Sequence, residues 1–327
     1  MKIAYLMLVH SNPQVQKRAI EMLSCDGCGF FIHVDAKSDI RQFSGISGEH
    51  VTFIEPRIPV YWGEFSIVEA TMRLMRRALD SPQRYDYLVF LQGSDYPLRS
   101  GKYIQGFFAE NRDSEFLSLV KMPAPGYPLS RLEAFRYPSS KPLLRIATRA
   151  LGKLGLARRD YRKHLVGLQA YAGDASWSLS RNACQYIVEF AIQNPHVEAY
   201  FQNSFSAPDE WFYHTILGNS PLQPRCRRSP FYRDYPPNLS HPMLLTEKHV
   251  QFFGSLDRIW VEDEWGSGEV LFARKFSDQT LHVIDRIDEM IRRKEQQVRF
   301  PAGPGIQAED AAFGFLDPVH AKDNPRR

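Results

Sequence analysis

The chain has 327 residues, 43% hydrophobic, 13% aromatic and 24% charged, the composition of an ordinary soluble globular protein with a sizeable core. Its net charge of +4 is too small to demand nucleic acid, which is not expected among its partners. Four cysteines, at positions 25, 28, 184 and 226, are few for a secreted protein, and no run reaches the ~20 apolar residues of a membrane span.

Ile3 to Val9 reads as a buried strand. With Lys2 before it, this apolar run mimics a signal peptide, but it stops at His10 without a small-residue cleavage site and a helix pattern follows. A cytoplasmic protein with reduced thiols is the expectation. Asn12-Pro13 opens a helix to about Leu23, with Pro13 suited to the first turn. Cys25-Asp26-Gly27-Cys28 has redox or zinc spacing but lacks a second pair, so it reads as two thiols in a turn. Phe30 to Val34 is a strand ending at Asp35, and Val51 to Ile54 is a short one. Ser66 to Leu79 is an amphipathic helix, Tyr87 to Leu91 a strand bounded by Gly93, Lys102 to Ala109 a helix, and Phe116 to Val120 a strand. This rhythm predicts an α/β, Rossmann-type domain with a mainly parallel central sheet flanked by helices. In such sheets ligands sit beyond the carboxyl ends of the strands. His10, Asp35 and Gly93-Ser94-Asp95 each follow a strand there and are expected to converge on one cleft.

The segment 141–163 is different. Lys141, Arg145, Arg149 and Lys153 recur every four residues as one helical stripe, with Leu143, Ile146, Ala147, Ala150, Leu151 and Leu154 opposite. Arg158, Arg159, Arg162 and Lys163 follow. Two readings stand: a solvated basic face, or contact with an anionic membrane or lipid-linked acceptor. Ser180 caps a helix to about Ala191, and Pro208 to Leu217 reads as a helix with Asp209 and Glu210 in its first turn. Gln279 to Gln296 is an amphipathic helix. The domain is expected to span 1–300, with 301–327 a weakly ordered tail in which Phe313, Phe315 and Leu316 are the residues able to dock.

No metal motif, phosphate loop or GxGxxG stands out. Many nucleotide-sugar transferases place a DxD after a mid-domain strand to hold a cation. Here that place carries Gln92-Gly93-Ser94-Asp95-Tyr96-Pro97-Leu98, with one acid. Glu262-Asp263-Glu264 has no strand pattern before it and reads as a loop.

Seven motifs occur in order: Met1-Lys2-Ile3-Ala4-Tyr5-Leu6 with Leu8, His10, Asn12 and Pro13; Ile32-His33-Val34-Asp35 with Lys37-Ser38; Trp62-Gly63; Gly93 to Leu98; Trp177 with Leu179-Ser180-Arg181; Pro208-Asp209-Glu210 with Phe212 and His214-Thr215; and Phe272-Ala273-Arg274-Lys275-Phe276. Together they resemble the core-2/I-branching β-1,6-N-acetylglucosaminyltransferase and peptide O-xylosyltransferase family, glycosyltransferase family 14. The resemblance implies a GT-A-like fold and inverting transfer from a UDP-sugar, N-acetylglucosamine or xylose, to a glycan hydroxyl, with no metal or other cofactor. It places the base at Glu210, where a helix-start carboxylate is expected to stay ionised. Arg274 and Lys275 take the place of a metal ion on the diphosphate, as fork and compact charge. His10, Asp35, Lys37, Trp62 and Gly63 fall beside the donor, and Ser94, Asp95, Tyr96 and Trp177 where sugar or acceptor is met.

Two stretches depart from the family. Asp174-Ala175-Ser176 stands where Gly-Ser is common, and Phe231-Tyr232-Arg233-Asp234-Tyr235 with His241-Pro242 has Tyr235 in place of a Trp. Animal members carry a membrane anchor and many disulfides. Their absence here implies a bacterial form acting on a surface polysaccharide or lipid-linked glycan. The competing readings are a non-catalytic glycan or nucleotide-sugar binder, an anionic-membrane module, and a metal-dependent transferase using Asp95.

Overall fold

The computed structural model describes residues 1–299 apart from Gly126, 204–206, 237–240 and Glu264. The expected tail at 301–327 lies outside the described residues. In chain order the first part comprises β1 (Ile3–Val9), α1 (Pro13–Leu23), β2 (Cys28–Val34), β3 (Val51–Phe53), α2 (Ser66–Leu79), β4 (Tyr87–Gln92), β5 (Tyr96–Pro97), α3 (Gly101–Glu110), β6 (Glu115–Phe116) and β7 (Val120–Lys121). Then come α4 (Ser130–Glu133), α5 (Pro142–Lys153), α6 (Tyr161–His164), β8 (Tyr171–Ala172), β9 (Ser178–Ser180), α7 (Arg181–Gln193), α8 (Pro195–Gln202), α9 (Phe212–Gly218) and β10 (Cys226–Arg227). The last part holds β11 (Phe231–Arg233), α10 (Glu247–Ser255), β12 (Trp260–Asp263), β13 (Gly266–Glu269), β14 (Phe272–Arg274) and α11 (Leu281–Arg299).

Seven strands form the main sheet in the order β10-β6-β9-β4-β1-β2-β3, and only β9 runs against the others. Strand β1 shows why. Its side chains alternate, and both faces are covered. Ala4, Leu6 and Leu8 join one core with α2, α7 and α9, while Ile3, Tyr5, Met7 and Val9 join the other with α1 and α3. The α/β, mainly parallel expectation therefore holds. A third core lies under α10 and α11 and includes Tyr96 and Phe276.

Three local expectations change. The run Phe116 to Val120 is two short strands in different sheets, because the chain leaves the main sheet after Phe116 and Val120 pairs with Ala172. Glu262 and Asp263 lie on a strand, β12, which pairs with β13 in a hairpin, and Asp263 is tied to Arg228 at 2.6 Å. The helix expected from Pro208 is broken. A 3-10 turn covers Pro208–Glu210, and α9 starts only after Trp211, whose φ of −129° is not helical. Among the described residues no helix is long and apolar enough to cross a membrane.

Candidate active site

The sheet order reverses between β1 and β4, since β2 and β3 lie on one side of β1 and β4 on the other. At such a switch the loops after neighbouring strands part and leave a crevice. Asn12 organises it. Held at φ 59°, a left-handed conformation that asparagine tolerates, it donates to the Gly93 carbonyl at 3.2 Å and accepts from the Asp278 backbone at 3.2 Å. The loops after β1, β4 and β14 are thereby joined, and Phe276 N donates to the Ser94 carbonyl at 2.9 Å.

On the β2 side, Asp35 accepts from Lys37 N at 2.9 Å, Lys37 Nζ at 2.6 Å and Val60 N at 3.2 Å. Burial pushes this carboxyl up, but Lys37 and the two backbone groups outweigh it and hold it below the usual aspartate range. Lys37 also lies 4.3 Å over the Tyr61 ring. His10 is exposed at the rim, and its carbonyl accepts from Ser38 Oγ at 2.8 Å. Trp62 projects from the next loop, 88% exposed. Gly63, at φ 72°, accepts through its carbonyl from Ala207 N at 3.3 Å, which sets this loop beside the one carrying Glu210.

At the centre, Arg274 Nε lies 3.0 Å from Asp95 Oδ1, and Arg274 Nη1 donates to Gln92 Oε1 at 2.9 Å. Gln92 N donates to the other Asp95 oxygen at 2.7 Å. Burial raises the Asp95 carboxyl and Arg274 opposes it. Three assignments change in consequence. Asp95 is fully buried and braces Arg274, so its carboxylate does not face a sugar. Tyr96 is buried with its hydroxyl donating to Asp288 at 2.7 Å. Trp177 is buried in the core, stacked on Phe90 and edge-on to Tyr213, away from the crevice. Ser94 is half-buried in the loop after β4, and Lys275, next to Arg274, is partly exposed.

Glu210 is partly exposed and accepts from Arg131 Nη1 at 3.3 Å. Burial first, then the charge of Asp209, push its carboxyl up to about 8 against the pull of Arg131. Asp209 is raised to about 6, by burial first, with Arg274 opposing. The expectation of an ordinary ionised carboxylate held by a helix dipole is therefore replaced. The 3-10 turn is too short to supply that field, and desolvation with neighbouring acids dominates. Such a carboxyl is suited to gaining and losing a proton near neutral pH.

The same cluster contains two residues, Arg233 and Asp174, that the motifs do not assign to the site. Arg233 forms a buried ion pair with Asp174 and donates to Ser176 Oγ at 2.7 Å. Both act electrostatically on Glu210 and Asp209, and the Tyr235 hydroxyl feels Arg233, Asp174, Glu210 and Arg274 together. The available signal was that both departures from the family pattern held a charged residue. The wall behind them is closely packed. A Cβ on Gly173 would come within 1.9 Å of the Ser118 carbonyl oxygen and 2.6 Å of the His214 ring. Burial lowers His214 to about 3, so its ring is neutral, and it contacts the Asp174 carbonyl at 3.0 Å. Gly173→Ala is expected to cost about 1–3 kcal/mol or more in urea unfolding through overpacking against backbone.

Among the described residues no three His, Cys, Asp or Glu side chains come together as a metal site. A family model described as "Branch: Core-2/I-Branching enzyme" matches residues 3–229, well over half of the chain. The chain belongs to the core-2/I-branching enzyme family. The matched stretch of this glycosyltransferase family includes Glu210, Asp174 and Asp95, while Arg233, Arg274 and Lys275 lie beyond it. Xylosyltransferase 2 of Rattus norvegicus is 27% identical over 228 residues, covering 67% of this chain and 25% of its own. Xylosyltransferase 2 of Homo sapiens is 28% identical over 229 residues, covering 67% and 25%, and human xylosyltransferase 1 is 24% identical over 232 residues, covering 67% and 22%. The core-2/I-branching chain thus spans about a quarter of the length of the curated relatives it matches. Core-mannan synthase A of Aspergillus fumigatus, in its Mn/GDP form, superposes with a TM-score of 0.37 and 9% identity, covering 69% of this chain and 72% of its own.

Proposed function

We propose that this chain is an inverting glycosyltransferase that moves a sugar, xylose or N-acetylglucosamine, from UDP to a hydroxyl of a glycan acceptor. The observation that carries the reading is one cluster of charge, in which Glu210 feels Asp209, Asp174 and Arg233, and Asp209 in turn feels Arg274, which Asp95 braces. The acceptor oxygen attacks the anomeric carbon as its proton passes to Glu210. The bond from that carbon to the UDP oxygen breaks, and its electron pair leaves on the diphosphate. Arg274 and Lys275 stabilise that charge in place of a divalent ion. Gln92 and Asp95 engage Nη1 and Nε of the guanidinium, and neither engages Nη2. The Trp62 face, exposed beside the Glu210 loop, suits stacking on a pyranose. Asp35, Lys37 and His10 suit the nucleoside end. The acceptor class that fits is a bacterial surface polysaccharide or lipid-linked glycan.

The test is a panel of UDP-sugars with EDTA in excess. One of them is expected to raise the melting temperature and to support transfer undiminished by the chelator. Loss of activity in EDTA that Mn²⁺ or Mg²⁺ restores would remove the metal-independent reading. Donor binding with no turnover on any glycan hydroxyl would favour a non-catalytic binder.

A further inference from the structure

The apolar side of α5 is turned away from the protein. Leu143 and Leu154 are 82% and 71% exposed, Ile146 and Leu156 nearly as much, and Thr148 is the one buried residue along the helix. At about 100° per residue, positions 143, 146, 150 and 154 share one side and Thr148 lies across from it. A surface helix ordinarily turns its apolar stripe inward. Here the stripe meets solvent and is flanked by exposed Lys141, Arg149, Lys153, Arg158, Arg162 and Lys163. Between residues 134 and 163 there are nine Lys or Arg and a single acid, Asp160.

We infer that α5 and the turn after it form a docking surface for an anionic phospholipid bilayer. An apolar face rimmed by cations needs a partner that is apolar within and negative at its surface, and an anionic lipid leaflet is both. The segment 134–163 that carries α5 is tied to the Glu210 region from two sides. Its base is closed by Phe135 N donating to the Ala157 carbonyl at 3.1 Å and Arg159 N to the Glu133 carbonyl at 2.8 Å, just after Arg131, which reaches Glu210. Arg145 pairs with buried Glu64 at 3.1 Å, and Ser139 N donates to Glu64 at 3.0 Å. Glu64 follows Gly63, whose carbonyl is bonded to the Glu210 loop. Docking of α5 would thus act on a segment that is bonded, through Arg131 and Glu64, to the Glu210 loop and its neighbour. The inference stands on the exposed side of α5 and survives if Glu210 is not the base.

The experiment is flotation of the full chain with vesicles of phosphatidylcholine alone, and of phosphatidylcholine and phosphatidylglycerol in equal parts. Binding to the mixed vesicles alone, weakening with salt, is expected. Replacing Arg149, Lys153 and Lys163 with glutamine is expected to weaken it about fivefold per residue. The pair Ile146→Glu and Leu154→Glu is expected to abolish it at an unchanged melting temperature. The charge variant, which leaves the apolar side intact, decides the matter if the second variant unfolds. Equal binding to neutral vesicles, no binding, or undiminished binding by the charge variant overturns the inference. So does a dimer in light scattering that Leu154→Glu converts to monomer, which would make a second copy the occupant.

Discussion

Glu210→Gln is expected to lower kcat by about 10²–10⁴-fold while leaving the UDP-sugar-induced rise in melting temperature intact. Glutamine keeps the shape and loses the proton acceptor, so donor binding and turnover separate. Unchanged turnover removes Glu210 as base. The raised carboxyl also sets a pH dependence. The base acts when deprotonated, so wild-type kcat/KM is expected to rise with pH toward about 8, where Glu210 loses its proton. Stability runs the other way. A carboxyl raised in the folded state is held neutral at no cost below its unfolded value. As pH climbs through the folded value it must carry a charge that burial and Asp209 oppose. Glu210→Gln is therefore expected to melt higher than wild type above pH 8, with the difference vanishing toward the ordinary glutamate range. Differential scanning calorimetry across pH reads this directly, and a variant no more stable at high pH contradicts the electrostatic account.

Arg274→Met is expected to lower kcat/KM by about 10²–10³-fold, the usual loss when one group stabilising developing charge is removed. It carries a second effect that separates bracing from catalysis. Asp95 is buried, and deleting its partner typically costs 3–5 kcal/mol, or drives the carboxyl to take a proton. The double variant Asp95→Asn with Arg274→Met is expected to regain most of the stability and none of the activity. If activity returns with stability, Arg274 is structural and the leaving diphosphate is held elsewhere. Lys275 alone is not expected to substitute for Arg274. It is a compact charge without the fork that Gln92 and Asp95 hold in place.

Much of this architecture was legible in the residues. The double-sided apolar run Ile3–Val9 declared a strand buried on both faces, and Ser180 declared its helix, accepting from Ala183 N at 3.2 Å. The ends of β1, β2 and β4 also met where the alternation predicted. What failed did so for a common reason. The motifs of Trp177, Tyr96 and Asp95 imply ligand-facing residues because motifs fix chain position, whereas exposure depends on what packs over a residue from elsewhere. Phe90 and Tyr213 cover Trp177, and Asp288 and Arg274 take the polar atoms of Tyr96 and Asp95.

The family, the α/β order of elements, the basic and apolar sides of residues 141–153, and the motifs that hold Glu210, Arg274 and Lys275 are all legible in the residues alone. These are local patterns or ordered motifs, and local patterns survive in one dimension. That the apolar side of α5 faces solvent emerges only in the folded chain. So do the bracing of Arg274 by Asp95, the buried Arg233–Asp174 pair that acts on Glu210, and the burial that raises the Glu210 carboxyl. The desolvation, ion pairing and packing behind each of these depend on distances between residues far apart in the chain, and folding alone sets those distances.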